Sequence, residues 1–169
     1  MDRKIVYIAA SVGTAFITAA CGSYGTSAYG STSTGGSPGA ATPSAGASGP
    51  STISTRSTAL GQFLVDGNGR TLYLFEADKA NASSCYDACA GVWPPVTTTG
   101  SPLAGAGVNQ SLLATTTRKD GSMEVVYNGH PLYYFISDKQ AGDTTGQGLS
   151  SFGADWYVLS AAGTKIDQS

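Results

Sequence analysis

Tyr73-Leu74-Phe75-Glu76-Ala77-Asp78-Lys79 is echoed sixty positions later by Tyr133-Tyr134-Phe135-Ile136-Ser137-Asp138-Lys139. Each copy follows a glycine-containing turn and a leucine, Leu72 or Leu132. A pattern recurring at this period marks two copies of one supersecondary unit, packed together because neither buries its apolar face alone. In each copy the tyrosine and the phenylalanine stand two residues apart, so on a strand they share a face.

The flanking residues supply turns. Asp66-Gly67-Asn68-Gly69 separates residues 62–65 from 71–75, and Asn128-Gly129 separates 123–127 from 131–135. Asp-Gly and Asn-Gly pairs tolerate positive φ and are strong hairpin signals. Residues 113–118 should pair with 123–127 through Lys119-Asp120-Gly121. A last strand is expected at 156–159, with 93–96 as its weaker counterpart in the first copy. The one helical signal is 84–90, where Ser84 and Asp87 have capping-box spacing and Gly91 supplies a stop. The expected fold is all-β: antiparallel sheets from two tandem pseudo-equivalent repeats, about 60–98 and 111–160, with one short helical turn.

Ahead of this lies export chemistry. Asp2-Arg3-Lys4 is followed by an uncharged stretch, 5–17, and by Thr18-Ala19-Ala20 before Cys21. That order is the n-region, h-region and small-residue cleavage site of a signal peptide. The apolar run falls short of the roughly 20 residues a membrane-spanning helix needs. Ending on Cys21, it resembles the lipobox of bacterial lipoproteins, which implies a signal peptide at 1–20 and a diacylated Cys21. Residues 22–55 carry no charge and consist mainly of Gly, Ser, Thr, Ala and Pro. Such a stretch buries too little apolar area to offset its ordering entropy, so 21–57 is expected to be a disordered tether. Its flexible reach would be about 33 Å.

The folded part is then 58–169, an ordinary size for one domain. Twelve of the sixteen Phe, Trp and Tyr residues lie beyond position 58, which concentrates the core there. Formal net charge is −2, with no basic stripe and no run of like charge. This argues against nucleic acid as a partner and against electrostatic docking on anionic lipid.

Two roles are open to the motif. The aromatics could be a ligand platform, with Asp78 and Asp138 completing a polar site beside the Tyr73 and Tyr133 hydroxyls. Alternatively Tyr73, Phe75, Tyr133 and Phe135 fill the core, while the aspartates accept backbone N–H bonds where the strand ends. The paired motifs, Cys85 to Cys89 running into Val92-Trp93-Pro94-Pro95-Val96, and the closing Asp155-Trp156-Tyr157 resemble the bacterial secreted-repeat lipoproteins. That family is named for the pattern Tyr-x-(Phe/Trp/Tyr)-x-x-Asp, and the likeness covers about residues 60–160. It implies an exported lipoprotein of unestablished molecular function, and it brings no catalytic residues.

Cys85 and Cys89 are the cysteines left after Cys21. Outside the cytoplasm a disulfide is the default. Cβ atoms four apart on a regular helix are about 5–6 Å apart, whereas a disulfide wants about 3.5–4.5 Å. A bonded pair therefore requires a distorted turn. No metal site is expected: His130 is the sole histidine, and no covalent haem motif or calcium loop occurs. Nor does the chain carry a Gly-x-Ser-x-Gly elbow.

The expectation is a non-enzymatic binding or interaction module without cofactor, lipid-anchored through Cys21 on the extracytoplasmic face of the bacterial membrane. Its partner would be a cell-envelope protein or a small ligand, engaged by Tyr73, Phe75, Asp78, Tyr133, Phe135, Asp138, Trp93 and Trp156. The alternative is an envelope redox, metal- or haem-handling protein using Cys85 and Cys89.

Overall fold

The computed structural model describes residues 49–168. The expected signal peptide, Cys21 and residues 22–48 of the expected tether lie outside the described residues. In chain order the elements are β1 (Thr52–Thr58), β2 (Gly61–Asp66), β3 (Tyr73–Phe75), α1 (Ala88–Val92), β4 (Leu103–Ala104), a 3-10 turn (Gln110–Leu112), β5 (Leu113–Thr117), β6 (Met123–Tyr127), β7 (His130–Pro131), β8 (Leu149–Ser151) and β9 (Ala154–Val158). They form three sheets, ordered β2-β1-β4, β3-β9-β8 and β5-β6-β7. The fold is all-β as expected. One parallel contact, β1 with β4, departs from the antiparallel rule.

The folded part begins earlier than residue 58. β1 occupies positions read as tether, pairing with β2 from Ile53↔Asp66 to Thr58↔Gly61. Ser and Thr dominate Thr52–Thr58, so its composition matches the segment before it. One large apolar side chain, the fully buried Ile53, distinguishes it.

The hairpins at residues 66–69 and 128–129 form, but their own ladders stop within a few residues of the turn and the strands then pair elsewhere. Asp66 N–H donates to the Arg70 carbonyl at 2.9 Å, and Leu72 N–H to that of Leu64 at 3.1 Å. β3 itself then pairs with β9 of the second copy, in the register Tyr73↔Val158, Leu74↔Tyr157 and Phe75↔Trp156. Reciprocally, residues after β7 bond to the 94–96 segment of the first copy: Tyr134 N–H to the Pro94 carbonyl and Val96 N–H to that of Leu132, both at 2.8 Å. Each motif strand therefore leans on the tryptophan segment of the other repeat. The two motif tyrosines meet between them, exchanging backbone bonds of 2.9 and 3.0 Å in both directions. The repeats are intertwined rather than stacked.

This crossing gives the central strands two buried faces. Phe63, Val65, Tyr73 and Phe75 point into one apolar cluster with Trp93, Tyr133, Phe135, Trp156 and Val158. The alternate residues, Leu64, Leu72 and Leu74, point into a second cluster with Ile53, Val96, Val125, Tyr127, Leu132 and Leu159. Alternation sends successive side chains to opposite faces. Runs such as Leu72-Tyr73-Leu74-Phe75 are apolar at every position because both faces are covered.

The helical turn shifts from its expected place. α1 covers Ala88–Val92, and its N-cap Asp87 makes no side-chain cap bond. Ser84 cannot complete a capping box because Asp78 holds both its N–H and its hydroxyl. Cys85 falls outside the helix and Cys89 inside it, which lets the Cα atoms close to 5.2 Å and the disulfide form.

Candidate functional site

The paired motifs place their polar ends across the repeat boundary. The Tyr73 hydroxyl donates to Asp138 Oδ2 at 2.7 Å, and the Tyr133 hydroxyl donates to Asp78 Oδ2 at 2.6 Å. Each aspartate spends its other oxygen on its own repeat. Asp78 Oδ1 accepts the Ser84 N–H and hydroxyl, and Asp138 Oδ1 accepts those of Thr145. The expectation that these carboxylates accept backbone N–H in a turn is met. The cross-repeat tyrosine bond is an addition that no local rule supplies.

Burial drives both phenols well above the ordinary tyrosine pKa, and neighbouring carboxylates push the same way. The tyrosines are therefore fixed as hydrogen-bond donors. Burial also raises Asp78, while its bonds from Ser84 and Tyr133 pull it back down. Charge-assisted bonds of this kind contribute about 1.5–3 kcal/mol each.

Behind the polar clasp lies a stack of four rings. Trp93 and Trp156 lie parallel at 3.9 Å with an interplanar angle of 2°; Phe75 caps Trp156 at 4.1 Å and Phe135 caps Trp93 at 4.3 Å. Tyr73 meets Trp93 edge-on at 5.3 Å, and Tyr133 meets Trp156 at 5.2 Å. The stacked and edge-on contacts to each indole have counterparts in the other half, as a pseudo-twofold axis between the indoles requires. Such aromatic pairs add roughly 0.5–1.5 kcal/mol each beyond area burial.

Of the two roles open to the motif, burial of the aromatics favours core filling over a ligand platform. Tyr73, Tyr133, Trp93 and Trp156 are fully buried, and Phe75 and Phe135 nearly so. The six aromatics face one another, and the two aspartates are engaged by protein donors. This set holds the repeats together, although Phe75 and Asp78 also border an open cleft.

One neighbouring cluster escaped the sequence reading. Arg118 and Glu124, both buried, form an ion pair at 2.6 Å. Arg118 also donates to Ser83 Oγ at 2.7 Å and to the Cys85 carbonyl at 2.6 Å, clamping the disulfide loop. Ser83 Oγ in turn lies 2.7 Å from the Tyr133 hydroxyl. Glu124 Oε1 and Arg118 Nε have no hydrogen-bond partner among the described residues. Burial raises Glu124 to about 7 against the pull of Arg118. Burial acts to lower Arg118, but its bond to Glu124 outweighs that and holds it above its ordinary value. The alternating pattern of β6 hid Glu124, because a charged side chain there reads as solvent-facing.

The disulfide Cys85–Cys89 is buried, with Cys85 wholly enclosed. His130 is half-buried, and burial lowers its pKa. It lines an open cleft of about 350 Å³ with Leu74, Glu76, Asp78, Asn128 and Lys165. A Glu76–Lys165 ion pair of 2.6 Å stands in the same cleft. Among the described residues no group of three or more His, Cys, Asp or Glu side chains could hold a metal ion, and no helix is long and apolar enough to cross a membrane.

No curated protein and no solved structure matches the chain. Residues 54–97 and 114–160 match a family described as a secreted repeat of unknown function. The two matches cover more than half of the chain, and both begin nineteen residues before a motif tyrosine. With two such copies clasped tyrosine to aspartate, the chain belongs to the family of this secreted repeat.

Proposed function

We propose that this chain is an exported lipoprotein whose folded part is a non-enzymatic binding module. The observation that carries this reading is the crossed clasp. The tyrosine hydroxyls and aspartate oxygens of the motif are engaged by one another and by neighbouring turns, so the repeats serve as a rigid scaffold and recognition falls to the surface they present. The cleft around His130 is the favoured surface, because Asp78, Asn128, Lys165 and Leu74 bring polar and apolar groups together there. A small envelope component with both characters fits it.

Anchoring rests on Cys21 and the leader before it. One acyl chain gives marginal membrane binding, so a diacylated and N-acylated cysteine is needed for stable retention. Cys21→Ser should release the protein into the medium, and unchanged membrane fractionation would defeat the anchor. For the cleft, the probe is a low-molecular-weight extract of the producing cell's envelope, titrated into labelled protein. Amide shifts confined to residues 74–78, 128–130 and 163–165 support the reading, and no shift with any fraction overturns it. The redox alternative is disfavoured by the burial of both sulfurs. Thiol labelling of protein taken directly from cells tests it, since a pair that opens with growth conditions would favour that alternative.

A further inference from the structure

β1 and β5 are the equivalent first strands of the two repeats, each pairing antiparallel with the next strand of its own copy. Their outer edges differ. On β1 the edge is covered by the extended, uncharged segment at 103–106. β4 pairs with β1 in parallel, Gly105 N–H donates to the Ile53 carbonyl at 2.7 Å, and Thr55 N–H donates to the Ala106 carbonyl at 2.9 Å. β5 ends its sheet with nothing beyond it among the described residues.

The register identifies the exposed groups. Arg118 N–H donates to the Ser122 carbonyl and Asn128 N–H to the Leu112 carbonyl, so the even-numbered residues of β5 bond inward to β6. Leu113, Thr115 and Thr117 therefore direct their backbone groups outward. The Leu113 N–H is taken by the Gln110 carbonyl. That leaves the Leu113 carbonyl and both backbone groups of Thr115 and Thr117 without a protein partner among the described residues.

Side chains reach the backbone of two other edge strands. Gln110 accepts from the Ala104 N–H and donates to the Pro102 carbonyl, stapling β4. The Trp156 indole donates to the Ser151 carbonyl at the end of β8. Proteins ordinarily protect an open edge with charge, proline or a bulge. Leu113-Ala114-Thr115-Thr116-Thr117 has none of these, and no charged residue occurs from 88 to 117.

We propose that β5 is a self-association edge, pairing antiparallel with β5 of a second copy of this chain about a twofold axis at Thr115. The available groups suit that arrangement. Thr115 exchanges two bonds with its symmetry mate, and each Thr117 N–H donates to the Leu113 carbonyl opposite, giving four bonds. An uncharged strand meets its own copy without like-charge repulsion. The pairing is isologous, so it closes both open edges at once and stops at a dimer. It also gives the second repeat the strand cover that 103–106 gives the first, and it leaves the cleft at His130 out of the interface by its choice of residues.

The test uses the full-length chain. In a hydrogen-bonded antiparallel pair the two Thr115 Cα atoms would lie about 5.5 Å apart. Mild copper-phenanthroline oxidation of a Thr115→Cys variant in the membrane should therefore yield a covalent homodimer. A Thr164→Cys control should not. Thr115→Pro removes an outward N–H and no bond to β6. It should convert the detergent-solubilised protein from dimer to monomer in density-matched sedimentation, with its circular dichroism retained. A monomer at every concentration, equal crosslinking at Thr164→Cys, or crosslinking of Thr115→Cys to a different polypeptide would each overturn self-pairing.

Discussion

The hydroxyl of Tyr73 is bonded to the carboxylate of Asp138, the aspartate of the other repeat, and not to Asp78 five residues along its own. Tyr133 and Asp78 reciprocate. The hexapeptide pattern is thus half of a two-part clasp, and both copies are required to close it.

Crossed pairing makes a sharp energetic claim. In a double-mutant cycle, Tyr73→Phe combined with Asp138→Ala should show coupling of about 1–3 kcal/mol, since the two share a buried charge-assisted bond. Tyr73→Phe combined with Asp78→Ala should add within about 0.5 kcal/mol. Urea denaturation of the six proteins measures both. Coupling within a repeat that exceeds coupling between repeats would refute the clasp.

The aspartates themselves should tolerate amide replacement better than truncation. Asp78→Asn keeps an acceptor for the Ser84 N–H and offers a donor to the Tyr133 oxygen, so a loss of about 1 kcal/mol is expected. Asp78→Ala strips partners from Ser84 and from a buried phenol, with a loss of about 2–4 kcal/mol. Denaturation midpoints of the two variants decide the order.

Neither repeat should fold alone. Cutting between the exposed Ala106 and Gly107 separates β1–β4 from β5–β9. It also parts Trp93 from Trp156 and both tyrosines from their aspartates. Each fragment should lack near-ultraviolet circular dichroism, and an equimolar mixture should regain it. A fragment with native-like signal by itself would contradict the intertwining.

Glu124 should make stability depend on pH. Its folded pKa of about 7 exceeds the ordinary glutamate value of 4.5, so the folded protein holds the proton more tightly. That contribution is complete below about 4.5 and is lost as pH rises through about 7, amounting to at most about 3 kcal/mol. His130 acts oppositely: its lowered pKa stabilises above its ordinary value of 6.5 and is lost on acidification. Glu124→Gln isolates the glutamate. The stability difference, wild type minus variant, should fall between pH 5 and 8 in chemical denaturation, and a flat difference would count against the assignment.

Part of this was open to reading along the chain. The sixty-residue period, the Asp-Gly and Asn-Gly turns and the β5–β6 hairpin are local signals, set by φ preferences and by contacts between neighbours. Even β1 was within reach: carrying the period back from Leu113–Thr117 lands on residues 53–57, although their serine and threonine content suggests tether. The Cys85–Cys89 bond and the need for a distorted turn around it were equally local.

What tertiary structure alone decided is which copy each group serves. A motif strand can pair within its repeat or across the boundary, and the local pattern is the same in both cases. Burying Trp93 against Trp156 selects the crossed arrangement, because the four-ring stack forms only when each motif phenylalanine reaches a tryptophan of the other repeat. That packing put the motif aromatics in the interior, one of the two roles open to them, and paired the tyrosines with distant aspartates. It also buried Glu124 against Arg118, although β6 taken by itself shows a charge where solvent would be expected.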